Sequence, residues 1–368
     1  MTLQGTDASV VRQAIDDRDP FPGTRGFAGV VDDTLLRDVL GRYPLYVERD
    51  ANDAGEGPGG DAWAFDHRDL DDPVLFPAGT VRREGTDERV WTLPDPDPVP
   101  EADALDALRA ALEGSFEAVD TDGTAVAFSG GVDSALVAAA LEAPLYVAGF
   151  PDSHDVEAAK SGAEALGLDL TVVAVTHDDL RRAVPEVVDA VGRTNAMDVQ
   201  IALPLYLTAE RAAADGFDRL AVGQGADELF GGYAKVAKAP EDPRTDADTV
   251  RGATREVIGS LPDQLPRDVC ALRAAGVEPV APLLHDGVVA AALRLPESLL
   301  VEGDTRKVAL RRVAREWLPD EIADRDKKAV QYGSLIAREL DRLARQNGFK
   351  RRMDDHVSKY VESLVDGN

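Results

Sequence analysis

An apolar, β-prone run, Ala125-Val-Ala-Phe128, passes directly into Ser129-Gly-Gly-Val-Asp-Ser134 and then into the alanine-rich Ala135-Leu-Val-Ala-Ala-Ala140. That order predicts a strand, a tight turn and the first turn of a helix. Glycines let the backbone come close to an anion, and the free N–H groups of a helix N-terminus point at it. Ser129 and Ser134 add hydroxyl donors, and Asp133 is a hard oxygen ligand of the kind that holds Mg²⁺. The loop lacks the Gly-x-x-x-x-Gly-Lys-Ser/Thr pattern of a Walker-type phosphate loop, so ordinary phosphoryl transfer is not its natural chemistry.

The chain has 368 residues, a length that suggests two or three domains, and its 44% hydrophobic content suffices for sizeable cores. No apolar run approaches the roughly 20 residues of a membrane span, and the opening Met1-Thr-Leu-Gln-Gly-Thr-Asp has no signal-peptide character. The single cysteine, Cys270, excludes an intramolecular disulfide framework and a cysteine zinc cluster. A soluble cytoplasmic protein is expected. The net charge of −28 disfavours generic nucleic-acid binding. Acidic residues are spread along the chain without a long block, as in proteins that stay soluble at high salt, so a halophilic setting is expected.

Residues 1–98 read as a small β-rich domain. Its strand-like runs are Gly26–Val31, Leu45–Val47, Ala62–Phe65 and Arg89–Leu93, with a Gly- and Pro-rich hairpin tip over Ala54–Gly60. Pro94-Asp-Pro-Asp-Pro-Val-Pro100 can be neither helix nor central strand and reads as a stiff linker. Residues 99–120 hold this linker's end and a helix with apolar spacing at Leu105, Leu108, Leu112 and Phe116. From 121 to 347, strands (Thr124–Phe128, Leu145–Phe150, Leu170–Val175, Arg219–Val222) alternate with helices (Ser134–Leu141, Val156–Leu166, Pro185–Val191 with Ile201–Ala214). Such alternation predicts an α/β fold, a parallel sheet with helices on both faces and ligands at the carboxyl ends of its strands. Segments onward to Trp317 read as an all-α extension, and residues 348–368 as a last solvated helix. The five histidines are scattered without metal spacing, Asp152 and Asp155 read as helix-capping carboxylates, and Cys270 as a packing residue.

A second strand end carries Val222-Gly-Gln-Gly-Ala-Asp-Glu-Leu-Phe-Gly-Gly-Tyr233. Asp133 and Asp227, from neighbouring strand ends, suit one Mg²⁺ bound to ATP phosphates. A third piece, Arg325-Asp-Lys-Lys-Ala-Val-Gln-Tyr-Gly-Ser334, carries adjacent lysines in a chain where lysine is scarce. One of those ammonium groups could neutralise phosphate charge.

The first loop resembles the pyrophosphate-binding loop of N-type ATP pyrophosphatases. Together with Asp227–Tyr233, Pro282-Leu-Leu-His-Asp286 and the lysine at 327, it resembles the synthetase domain of the asparagine synthetase B family over most of residues 121–340. That fold is of the adenine nucleotide alpha-hydrolase type. In front of it, Arg37-Asp-Val-Leu-Gly-Arg-Tyr-Pro-Leu-Tyr46 resembles a motif of class II glutamine amidotransferase domains. Those domains work through a cysteine directly after the initiator Met, and here position 2 is Thr2. Too little chain precedes Gly26 to build their opening strands and glutamine site, so a truncated domain without glutaminase activity is expected.

The resemblance implies that ATP contacts the main chains of Phe128 and Ala148 and the loop Ser129, Gly130, Gly131, Val132, Asp133 and Ser134, with Val222 and Gly223 beside ribose and phosphates. It implies Mg²⁺ on Asp133 and Asp227, Lys327 at the adenylation transition state, and Gln224 and Glu228 among the catalytic residues. The chemistry implied is adenylation of a carboxylate, aspartate by default, followed by attack of ammonia or another amine. Gln224 replaces the family's glutamate beside the acyl-adenylate, and Gln cannot act as a base. That substitution, with Met197-Asp-Val-Gln-Ile201 and the run after Lys327, points to the asparagine synthetase domain-containing branch. A tRNA- or nucleotide-modifying pyrophosphatase-loop enzyme and a non-catalytic nucleotide-binding homologue stay open as alternatives. A separate glutaminase or a homodimer stays open among partners.

Overall fold

The computed structural model describes residues 2–49, 62–239, 247–325 and 335–367. The expected hairpin tip at Ala54–Gly60 and the run from Lys327 to Ser334 lie outside them. The chain divides into two compact units, neither of them one continuous stretch. Unit one comprises Met1–Ala118, Gln224–Pro266 and Ala281–Val313, and unit two Val119–Gly223, Arg267–Val280 and Ala314–Asn368.

Unit one opens with antiparallel sheets. One has the order β1-β2-β3-β7-β8, built from β1 (Leu3–Gln4), β2 (Ala28–Val31), β3 (Thr34–Arg37), β7 (Thr80–Arg83) and β8 (Thr86–Arg89). The other has the order β5-β4-β6, from β4 (Tyr46–Glu48), β5 (Trp63–Ala64) and β6 (Pro73–Leu75). Two expectations need correction. An opening strand is present, since β1 pairs with β2 through Leu3↔Gly29 and Gln4↔Ala28. The last strand of this region also ends at Arg89, where the sequence had suggested that one begins. Its residues, Thr-Asp-Glu-Arg, are all exposed, so no apolar alternation marked it.

The amidotransferase-like motif of unit one is a wiring element. The buried Arg37 guanidinium donates to the carbonyls of Tyr43 (2.9 Å), Phe76 (2.8 Å), Gly41 (2.7 Å) and Pro262 (3.1 Å). Asp38 accepts from the amides of Leu40 and Arg42 and from Arg42 Nε at 2.9 Å. Arg42 then reaches Asp286 Oδ1 at 2.7 Å, and Asp286 Oδ2 accepts from the Thr24 amide at 2.7 Å. Burial works against the Arg42 charge, but Asp38 and Asp286 outweigh it and its pKa is raised. The Pro94–Pro100 run carries no helix or strand, as expected. Arg251 and Arg255 donate to the carbonyls of Pro96 and of Leu93 and Pro94, and Val99 N donates to Arg294 O, so the run is bound along unit one.

Unit two holds the parallel sheet. Its order is β11-β10-β9-β12-β13, from β9 (Thr124–Ala127), β10 (Leu145–Gly149), β11 (Leu170–Ala174), β12 (Arg219–Ala221) and β13 (Glu278–Val280). Every pairing is parallel. Strand β13 went unseen in the sequence because Pro279 sits in its middle. On the edge of the sheet its missing N–H costs no ladder bond on the open side. With it, and with the hairpin Val301–Glu302/Thr305–Arg306, the stretch read as all-α contains strands.

The helices joining the strands start earlier than the sequence suggested. α3 spans Val132–Leu141, α4 His154–Leu166, α5 His177–Val191 and α6 Ala196–Ala214. Pro185 lies inside α5 rather than at its start, and Pro204 lies inside α6. A capping box, Thr176 with Asp179, fixes the true start of α5. Ser153 caps α4, not the carboxylates Asp152 or Asp155. Asp198, in the Met197–Ile201 run, is a structural charge: it accepts from Arg267 (2.9 Å), Asn195 (2.7 Å) and Arg193 (3.2 Å). The terminal helix His356–Asp366 is amphipathic rather than merely solvated, with Val357, Tyr360 and Val361 buried. Asp341 ties its start to the preceding helix Leu335–Gln346 through His356 (2.8 Å), Arg351 (2.8 Å) and Arg345 (3.0 Å). Cys270 is buried, and among the described residues no helix is long and apolar enough to cross a membrane.

Two stability measurements check these networks. Asp286→Ala leaves Arg42 with Asp38 but takes the carboxylate away from its Nη2 and from the Thr24 amide, and should cost about 3 kcal/mol by urea unfolding. Hydrogen bonding from Arg351, opposed by partial burial and aided by His356 and Arg345, lowers the Asp341 pKa to about 2. A depressed folded-state pKa gives stability that is present above the ordinary value and lost as pH falls through the folded one. Wild type should therefore exceed Asp341→Asn in stability at neutral pH. The difference should begin to close below the ordinary aspartate value of 3.8 and should vanish near pH 2.

Candidate active site

In unit two, β9 ends at Ala127 and α3 begins at Val132, so Phe128–Gly131 make the whole turn. Gly130 has φ +73°, and a Cβ there would stand 2.3 Å from the Ala158 carbonyl oxygen, so only glycine fits. The Ser134 hydroxyl is the hub of the loop. It accepts from the Ser129 amide at 3.1 Å, lies 3.2 Å from Ser129 Oγ and donates to the Gly131 carbonyl at 3.2 Å. The residue before α3 is Gly131, and α3 has no side-chain cap. Its first-turn amides are therefore the kind of uncapped donor array that an anion satisfies.

The expected contacts fall around this turn unevenly. Phe128 is buried, and its amide donates to the Tyr146 carbonyl at 2.8 Å. The Ala148 amide donates to Thr208 Oγ1 at 3.1 Å. Neither amide is open to a nucleotide, so a main-chain contact at these positions falls to the carbonyls. Val222 is buried and its amide donates to Val280 O at 2.9 Å. A Cβ on Gly223 would come within 3.1 Å of Asp133 and of the Ser134 amide, so the end of β12 packs directly against the start of α3. Val132 is buried, while Ser129 is exposed and Asp133 half-buried. Asp133 supplies a hard carboxylate beside the uncapped amides, a donor set that fits a magnesium–phosphate group.

The unit boundary falls between Gly223 and Gln224, so the rest of the second signature belongs to unit one. Gln224 is half-buried. Gly225, at φ +89°, lets the chain turn into the four-residue helix Ala226–Leu229. Asp227 Oδ1 lies 2.7 Å from Lys307 Nζ, and the Lys307 side chain is only 2% exposed. Lys307 itself has φ +60°, an uncommon conformation for a side-chain-bearing residue. A Cβ on Gly232 would collide with both partners, 2.0 Å from Asp227 Oδ1 and 2.4 Å from Lys307 Cε, so this glycine reserves the space of the pair. Glu228 is buried and accepts from the Tyr233 hydroxyl. Burial pushes its carboxyl up, with the Tyr233 bond opposing and Asp227 adding.

Lys307 was missed by the sequence reading. The one signal available was the scarcity of lysine, which drew notice to Lys327 and Lys328 because they are adjacent. Lys327 lies outside the described residues. Asp286, noted only as part of a family motif, is the buried partner of Arg42. Among the described residues, no three His, Cys, Asp or Glu side chains cluster as a metal site.

Comparison with known proteins relates the sequence to one family. The asparagine synthase family profile matches residues 107–271 and 237–364. A protein of Methanocaldococcus jannaschii named "Putative asparagine synthetase (glutamine-hydrolyzing) 1" is 31% identical over 281 residues, 66% of this chain and 52% of its own length. Asparagine synthetase B (glutamine-hydrolyzing) of Escherichia coli is 26% identical over 249 residues, 61% of this chain and 44% of its own. The asparagine synthetase (glutamine-hydrolyzing) of Brassica oleracea is 27% identical over 335 residues, 81% of this chain and 55% of its own. The chain thus spans about half the length of these curated relatives. With the matched profile running from the helix before β9 to the terminal helix, the chain belongs to the asparagine synthase family.

Proposed function

We propose that this chain is an ATP-dependent amide ligase that forms AMP and pyrophosphate. It adenylates a carboxylate, aspartate in the first instance, and transfers the acyl group to ammonia or another amine. The observation that carries this reading is the uncapped start of α3 behind a closed Ser129–Ser134 turn, with Asp133 in the first turn of that helix. A carboxylate oxygen of the substrate attacks the α-phosphorus, and the bond from that phosphorus to the bridging oxygen breaks, releasing pyrophosphate. The amine nitrogen then attacks the acyl carbon, AMP leaves with the C–O bonding pair, and the nitrogen gives up a proton.

The protein's part is positioning and charge neutralisation. The α3 amides and the Ser129 hydroxyl hold the departing phosphates, and the Ser134 hydroxyl braces the turn that presents them. Mg²⁺ entering with ATP would screen phosphate charge, and Asp133 is the residue of unit two that would hold it. Asp227, the other carboxylate expected at the metal, has Lys307 as its neighbour, and that ammonium sets the charge it presents. Lys327 is proposed to stabilise the adenylation transition state. Glu228, bonded to Tyr233, holds the second loop in place, and Gln224 orients the amine by hydrogen bonding without taking its proton. Ammonia is proposed to come from solution or from a separate glutaminase. The negative surface and the absence of any sequence block suited to a membrane fit work in a salt-rich cytoplasm.

The test is pyrophosphate release from MgATP with aspartate and ammonium in molar potassium chloride. Wild type should release pyrophosphate and form asparagine, while Asp133→Ala and Lys327→Ala should be slower by about 100-fold or more. Glutamine in place of ammonium should give no amide. No pyrophosphate and no ATP binding would overturn the reading, and pyrophosphate without asparagine would assign another carboxylate. Glutamine serving as the sole nitrogen donor would restore glutaminase activity to the N-terminal region.

A further inference from the structure

Arg325 follows the short helix Asp320–Ala323 in unit two, and its side chain turns back onto the glycine loop. Nη1 donates to the Gly130 carbonyl and to the Ala158 carbonyl, each at 3.1 Å, and Nη2 donates to Ser161 Oγ at 3.3 Å. Ala158 and Ser161 lie on α4. Loop and helix touch there through two glycines. A Cβ on Gly130 would meet the Ala158 carbonyl oxygen at 2.3 Å, and a Cβ on Gly162 would meet Gly130 Cα at 3.2 Å. The guanidinium spans this seam.

The geometry of the Gly130–Gly131 peptide gives that bridge a consequence. A trans peptide is planar, so the Gly130 carbonyl and the Gly131 N–H point to opposite sides. With glycine on both sides, rotation of the plane meets little steric resistance. As it stands, the carbonyl faces Arg325, and the Gly131 N–H faces the side of Ser129 Oγ, 3.5 Å away. The opposite orientation would aim a carbonyl oxygen at any anion held by the loop. We propose that Arg325 is a positioning residue that locks this peptide with its N–H toward the bound phosphates, acting through the loop rather than on the phosphates. The inference rests on the nucleotide reading above. Arginine suits the task because its rigid fork carries donors on two nitrogens in fixed directions, Nη1 for the two carbonyls and Nη2 for the hydroxyl.

Calorimetric titration of the full chain with MgATP, pyrophosphate and AMP separates the possibilities. A hydrogen bond to a charged group is worth enough that losing the aimed N–H should weaken ATP and pyrophosphate by about tenfold. Arg325→Ala should therefore lose affinity for both ligands, with AMP binding changed far less and the melting temperature little moved. Arg325→Lys should fall between wild type and Arg325→Ala, and it serves as the readout should the alanine variant not fold. Ser161→Ala, which removes one of the two helix-side bonds and leaves both carbonyls their donor, should bind like wild type. ATP affinity unchanged in both Arg325 variants, or ATP and AMP weakened alike, would overturn the positioning role while leaving the nucleotide site standing. Wild type that binds neither ATP nor pyrophosphate would overturn both.

Discussion

The parallel pairing of β9 with β12 is the constraint on which the candidate site depends. Thr124, Ala125 and Val126 stand opposite Arg219, Leu220 and Ala221, so both strands end at the same level of the sheet. Parallel strands deliver their carboxyl ends to one edge, and loops from adjacent strands leave that edge side by side. Gly223 makes the meeting physical. With no side chain of its own, it lets the end of β12 approach Asp133 and the Ser134 amide. A bulkier residue there would have to displace the very turn that offers its amides to an anion. The chemistry of the first loop is thus set partly by a residue of the second.

What could be read in the sequence followed from local pattern. The strand, the glycine pair and the alanine-rich helix around Ser129 announce themselves within sixteen residues, and the structure has the same order. Pattern fails where pairing is distant or where one residue carries two meanings. Pro279 is a strand breaker in the centre of a sheet and harmless at its edge, so β13 depended on a position that no window reveals. Pro185 reads as a helix start, yet Thr176 and Asp179 begin α5 earlier. Arg42 and Asp286 are 244 positions apart in number and 2.7 Å apart in space. Lys307 looked like any surface lysine until Asp227 and the bare Gly232 gave it a buried place.

The charge balance shows a division of labour. A net charge of −28 repels itself across the surface, and salt shortens the range of that repulsion. Inside, the arginines of the described residues serve as forks for fixed oxygens. Arg37 takes four carbonyls, Arg42 takes two carboxylates, and Arg267 joins Asp198 to Asp268. These bonds are short and screened from solvent, so added salt weakens them far less than it weakens surface pairs. Arginine's planar fork spreads five donors in fixed directions, so it matches acceptors that a compact ammonium on a flexible stem would not hold in place together. Lys307 is the exception, a buried ammonium 2.7 Å from Asp227 Oδ1.

On the proposed chemistry, Gln224 decides how the second half-reaction can proceed. Attack on an acyl carbon requires a nitrogen lone pair, so ammonium must lose a proton before it reacts. A glutamate at that position could accept it or stabilise a positive nitrogen. A glutamine amide can only donate to an oxygen or accept from an N–H. The proton must then go to solvent, to the substrate, or to the leaving phosphate oxygen. Alternatively, the nucleophile arrives as a neutral amine. Either route leaves the first half-reaction untouched, because adenylation draws on the α3 amides and phosphate charge rather than on Gln224. The loop from Ser129 to Ser134 therefore constrains which bond of ATP breaks much more tightly than the chain constrains which nitrogen takes the acyl group.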